Sequence, residues 1–163
     1  MQSNLLIIVL WCLWLFPADR VEAGTPQPSP EEQELVSLIN TKRAEQGLNE
    51  LSCNLLLHRA ARDHAETMAE QDYLGHESPD GTGFQERIYA AGYPKTRVGE
   101  AVGAGWKDAQ EALQNFMESP THREILMGPK FTEIGVGYAL SPDTLYEHYW
   151  TVDVGAGGAP QIR

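Results

Sequence analysis

Between Gly75 and Gly81 the chain places His76, Glu77, Ser78 and Asp80 within one short stretch that also contains Pro79. These side chains can accept protons, donate them, attack a carbonyl or bind a cation. Pro79-Asp80-Gly81 is turn chemistry, because proline presets φ, aspartate can bond its own backbone and glycine accepts positive φ. The alternative is a polar loop that does nothing further. A second unusual carboxylate follows at Glu100, set in the apolar, glycine-flanked run Val98 to Gly103. A buried carboxylate needs hydrogen bonds, a cation or a raised pKa. A third stretch, Ser119-Pro120-Thr121-His122-Arg123-Glu124, adds an imidazole behind a helix-start signal.

The elements that must position these groups follow from pattern. Ser29 is placed to cap a helix that has Pro30 in its first turn and Glu31 and Glu32 at its positive end. That helix carries Leu35, Leu38 and Ile39 on one face and stops near Gly47. Asn54 to Tyr73 is predicted as a second helix with a stripe of mostly small residues, Ala60, Ala61, Ala65, Met68 and Ala69. His58 and His64 lie beside the stripe, where a hydrogen-bonded interior histidine is expected. Arg59, Arg62, Asp63 and Glu66 form its expected solvated face. Phe84 to Ala91 is a short helix ended by Gly92 and Pro94, and Lys107 to Glu118 is a third main helix. Phe131 to Leu140 switches to a period of two, which is a strand pattern, and Gly135 and Gly137 on one of its faces call for a very close neighbour. Tyr146 to Val154 is expected to return as an antiparallel strand after the Ser141-Pro142-Asp143 turn. Phe116, Tyr138 and Trp150 are expected in the core, Arg123 and Glu124 in support of their helix turn, and Glu133 in a local pair.

The chain of 163 residues is long enough for one domain with a real core. Leu5 to Phe16 is apolar but short of the roughly 20 residues a membrane span needs. With Val21-Glu22-Ala23 behind it, it is assigned as a signal peptide over 1–23, ahead of a linker over 24–32, a domain over 33–155 and a tail over 156–163. Secretion, or residence in the cell envelope, follows. The net charge of −11 disfavours nucleic acid and anionic membrane surfaces as partners. Only Cys53 would remain after cleavage at 23, so no internal disulfide can form. Cys53 is expected as a small buried hydrophobe.

In order and spacing, several stretches together resemble one family. They are Leu38-Ile39-Asn40 with Arg43, His76 to Gly81, Val98-Gly99-Glu100, Ser119 to Leu126, Phe131 to Gly137 and Tyr149-Trp150-Thr151. The family is the CAP superfamily (cysteine-rich secretory protein, antigen 5, pathogenesis-related-1), in its cysteine-poor, bacterial SCP-like form. The resemblance implies an α+β fold, an α-β-α sandwich around a central antiparallel sheet. It also implies a surface cleft lined by His and Glu that sometimes holds a divalent metal. Residue by residue, His76 and Glu100 carry over. Glu118 is the nearest match for a second glutamate, with Ser119 equally in register. The family's second strand histidine falls on Tyr149 rather than His148, and adjacent strand residues point to opposite faces. His122 is therefore the preferred second imidazole, and Ser78 completes the candidate cleft. The expected function is binding of a small extracellular ligand (lipid, glycan or protein) by a monomer without a stable membrane span. A divalent cation such as Zn²⁺, held by His76, His122 and Glu100, is the other expected occupant. The alternative is an acid-base or metal-assisted, peptidase-like hydrolase using the same cleft.

Overall fold

The computed structural model describes residues 27–157; the expected signal peptide and most of the expected tail lie outside them. In chain order the elements are α1 (Pro30–Glu45), β1 (Ser52–Cys53), α2 (Leu55–Glu70), α3 (Phe84–Ala90), β2 (Val98–Ala104), α4 (Ala109–Glu118), α5 (Pro120–Leu126), β3 (Glu133–Leu140) and β4 (His148–Gly155). The sheet runs β1-β3-β4-β2. Its β3–β4 and β4–β2 pairs are antiparallel, as expected, while the two-residue β1 joins β3 in parallel. Helices α2 and α3 cover one face, and α1, α4 and α5 cover the other. This is the α-β-α sandwich that the resemblance implies.

The first helix opens inside the segment assigned as linker. Ser29 and Glu32 form a reciprocal capping box, which satisfies two backbone N–H groups that a helix start otherwise leaves unpaired. Glu32 is 1% exposed. Its Oε1 accepts from Arg62 Nε at 3.0 Å and from the Tyr138 backbone N–H at 3.0 Å. Arg62 therefore leaves the solvated face expected for it and pins α2 to α1. Cys53 also departs from expectation. It is exposed on the short edge strand, and Leu51 fills the core position nearby.

The larger core lies between the sheet and α1, α4 and α5, around Leu35, Ile39, Phe116, Ile134, Trp150 and Val152. Buried Arg43 closes that side, donating to the carbonyls of Asn49, Leu126 and Gly128 at 2.9, 2.7 and 3.2 Å. The opposite face is built differently. Gly135 and Gly137 let α2 lie directly on β3: a Cβ on Gly135 would sit 2.1 Å from His58 N, and one on Gly137 2.3 Å from the Ala61 carbonyl carbon. Two smaller apolar clusters flank this contact, Leu57, Ile88 and Tyr93 at one end and Met68, Val102 and Tyr149 at the other. The same face of the sheet also carries Glu100, Thr151 and Asp153, all buried. A polar seam thus crosses an apolar layer, and it surfaces at His76.

Candidate functional site

Strand alternation sets the site. Glu100 and Asp153 are direct cross-strand partners on β2 and β4, so both side chains project from one face. The loop from Gly75 to Gly83 is folded over that face. Ser78 N–H donates to Thr82 O at 2.9 Å, Gly81 N–H to Ser78 O at 2.8 Å, and Thr82 N–H to Asp80 Oδ1 at 2.9 Å. This is the turn that Pro-Asp-Gly predicts. Buried His64 of α2 anchors the start of the loop through its Nε2, 2.8 Å from Gly75 O.

Glu100, 2% exposed, is held at both oxygens. His76 Nδ1 lies 2.9 Å from Oε1, and Arg87 Nη2 lies 2.7 Å from Oε2. A carboxylate only accepts, so His76 donates through Nδ1 and its Nε2 is left with the lone pair when the ring is neutral. The His76 side chain is 52% exposed. Arg87 extends the network, with Nη1 donating to His76 O, Ser78 Oγ and Thr82 O at 3.0, 3.2 and 2.9 Å. One guanidinium therefore holds both the carboxylate and the loop that carries the imidazole. An open groove of about 530 Å³ lies alongside, lined by Tyr73, Leu74, Gly75, His76, Glu77, Gly83 and Phe84.

The other candidates fall in different places. His122 is packed edge-to-face on Phe116, with ring centroids 5.3 Å apart. Burial first, and then the His76 imidazole when it is charged, lower its pKa from the ordinary value. Its Nδ1 is buried without a partner. Glu118 accepts from Gln114 Nε2 and lines a separate groove with Lys42, Lys107 and Met117. His148 lies on the sheet face opposite Glu100, 2.7 Å from Tyr138 OH and stacked on that ring. Tyr149 takes the Glu100 face, as the register count requires, but its hydroxyl goes to Asp72 Oδ1. Ser78 is a turn residue bonded to Arg87; no hydrogen bond joins it to His76 among the described residues.

Structural zinc sites use four protein ligands and catalytic sites three, while Glu100 already has an imidazole and a guanidinium on its two oxygens. Two imidazoles remain. Among the described residues no group of three or more His, Cys, Asp or Glu side chains is placed to hold a metal ion.

Arg87 and Asp153 are members of the candidate site that the sequence pattern does not single out. Arg87 gives no signal, being one charge on a short helix. Asp153 gives one: Tyr149, Thr151 and Asp153 alternate on a strand whose other face is Trp150, Val152 and Val154, so a polar residue had to be buried. Asp153 is 1% exposed and its Oδ1 has no partner. Burial first, then the negative charge of Glu100, raise its pKa well above the usual carboxylate range, against the pull of Arg87. A carboxyl that binds its proton more tightly when folded favours the native state below its unfolded pKa of about 3.9. That advantage is lost as pH rises through the folded pKa. Asn cannot ionise, so the Tm of Asp153→Asn minus that of the wild-type chain should increase as pH is raised from about 4 to about 8. A difference that is flat or shrinks with pH would show that Asp153 is ionised and compensated.

Comparison with known proteins bears on what this architecture is. The sequence profile of the Cysteine-rich secretory protein family, CAP, matches residues 36–154. The chain belongs to the CAP family. Among curated relatives, the protein YkwD of Bacillus subtilis is 32% identical over 127 residues, covering 76% of this CAP chain and 49% of its own length. The membrane protein YlbC of the same organism is 26% identical over 106 residues, covering 65% of this chain and 31% of its own. The chain thus spans half or less of the curated relatives it matches. Solved structures that share the fold include the following two. An extracellular protein containing a SCP domain from Bacillus anthracis has a TM-score of 0.69 at 24% identity, covering 80% of this chain and 44% of that one. An outer surface protein of Borrelia burgdorferi has a TM-score of 0.70 at 22% identity, covering 81% and 97%. No helix among the described residues is long and apolar enough to cross a membrane.

Proposed function

We propose that this CAP domain works outside the cell as a binding module, and that its cleft takes a small ligand at His76. One observation carries the reading: Glu100, fixed by Arg87, occupies His76 Nδ1 and leaves Nε2 as an acceptor beside the groove. Tyr73, Leu74 and Phe84 supply apolar wall, and Glu77 supplies negative charge. The ligand that suits this set carries a hydroxyl or ammonium donor next to an apolar body. The extracellular setting is supported by the expected signal peptide and by the extracellular and outer-surface proteins that share the fold.

A hydrolase is the second reading, because an imidazole oriented by a carboxylate is also a general base. Turnover separates the two: a binder saturates without consuming its ligand. Zinc separates both from a metal centre. Calorimetric titration of the chain with zinc chloride should give no stoichiometric heat, whereas amino alcohols and amino sugars should shift the His76 ring ¹⁵N resonances saturably. His76→Ala should abolish the calorimetric binding heat of the organic probes while leaving the Tm within a few degrees. A one-to-one zinc heat lost in His76→Ala would replace this reading with a cation site.

A further inference from the structure

Beside the cleft lie two chain segments whose charge is one-sided. From Asp63 to Glu86 the chain contains no Lys or Arg, and none occurs between Lys130 and Arg163. These two segments meet at one end of the molecule. Asp72 Oδ1, in the loop after α2, accepts from the Leu145 backbone N–H at 2.8 Å and from Tyr149 OH at 2.9 Å, tying the β3–β4 hairpin to that loop. Glu70, Glu77, Asp80 and Glu86 are exposed on one segment, Asp143 and Glu147 on the other. The same two segments carry two of the exposed large hydrophobics on or beside the cleft side, Leu145 at 74% and Leu74 at 42%, while Leu140, paired with His148, projects from the other face of the sheet. Leu74 also lines the His76 groove.

We propose that this end of the molecule is a docking surface for a basic amphipathic segment of a partner polypeptide. Exposed apolar residues rimmed by charge mark interaction sites, and the sign of the rim selects the occupant. Anionic lipid and nucleic acid are repelled, and a second copy of this chain would set acids against acids. A neutral apolar ligand would leave the rim unmatched. A segment with lysines or arginines flanking leucine-like anchors satisfies both features, in the manner of an amphipathic helix laid on a receptive surface. The inference does not rest on the cleft reading; Leu74 also lines the His76 groove, so His76→Ala is included to separate the two surfaces.

The test is fluorescence anisotropy of the full chain with a labelled synthetic amphipathic Lys/Leu peptide at about 0.15 M salt, where exposed charges act over about 8 Å. The chain carrying Leu74→Ser and Leu145→Ser should bind about tenfold more weakly. Leu55→Ser, which changes another exposed leucine at the far end of α2, should bind like wild type. An oligolysine without leucine and a Glu/Leu peptide should each bind at least about tenfold more weakly than the Lys/Leu peptide. Equal affinity for oligolysine would reduce the effect to net charge and overturn the proposal. So would unchanged binding by the double variant, an equal loss in Leu55→Ser, or a dimer of the wild-type chain that the double variant disperses. His76→Ala should retain the peptide affinity; its loss there would make the peptide a ligand of the cleft instead.

Discussion

Gly137→Ala should be among the most damaging single-methyl changes this chain can suffer. The added Cβ would sit 2.3 Å from the carbonyl carbon and oxygen of Ala61. Both atoms belong to the backbone of α2, so no side chain can swing aside. Relief requires the helix to lift from β3, which would open the seam and displace His64 from the Gly75 carbonyl it anchors. Overpacked cores typically lose about 1–3 kcal/mol, more when backbone must move, and this substitution should lie at or above the top of that range. Gly135→Ala, facing His58 N at 2.1 Å, should match it. Gly83→Ala is the control, because its Cβ would meet nothing within 4 Å and its φ is −78°. Urea unfolding midpoints decide the matter: a Gly137→Ala midpoint as high as that of Gly83→Ala would mean that α2 does not lie where its backbone is placed.

The second large effect is expected at Arg87. Removing it as Arg87→Ala leaves the carboxylate of Glu100 buried with an imidazole on one oxygen and nothing on the other. Breaking one partner out of a buried ion pair costs about 3–5 kcal/mol. It also frees the loop, because the same guanidinium accounts for bonds to His76 O, Ser78 Oγ and Thr82 O. Arg87→Lys should recover little, since an ammonium lacks the planar fork that spans these acceptors. Adding Glu100→Gln to Arg87→Ala should restore part of the stability by removing the stranded charge, but not the ordering of His76. Denaturant midpoints for these three chains and for Glu100→Gln alone, read beside the His76 ring resonances, test both statements. Strictly additive losses would show that Arg87 and Glu100 act independently.

Much of this architecture is legible in the sequence. The glycines of β3 announce a close neighbour because strand alternation puts both on one face, and the neighbour is the small-residue stripe of α2. Ser29 and Ser119 cap helices where their sequence context places them. His76 and Glu100 stand out from a turn and from a carboxylate in apolar company, and they are in contact. What stays hidden is relational. Arg62 reads as part of a solvated face because periodicity describes one helix and does not show that Glu32 of another lies against it. Glu118 matches by register along the chain, yet its helix turns it toward Lys42 and Lys107. Cys53 reads as a core residue by type, while a two-residue edge strand points it outward. Asp153 is open to discovery by asking which face of its strand is polar.

The reach of Glu32 has one more consequence. Ser29, Glu32, Arg62 and the Tyr138 N–H are joined in a single knot between the first helix and the rest of the domain. Trimming by a protease from this side first loses two exposed contacts, Arg62 Nη2 to Gln27 O and Gln33 Nε2 to Pro28 O, and then meets a wall. Cutting past Ser29 removes the cap, and cutting past Glu32 strands a guanidinium and an interior amide together. The edge of the protease-resistant fragment is therefore fixed by an ion pair 30 residues across the sequence rather than by where the helix begins to fray.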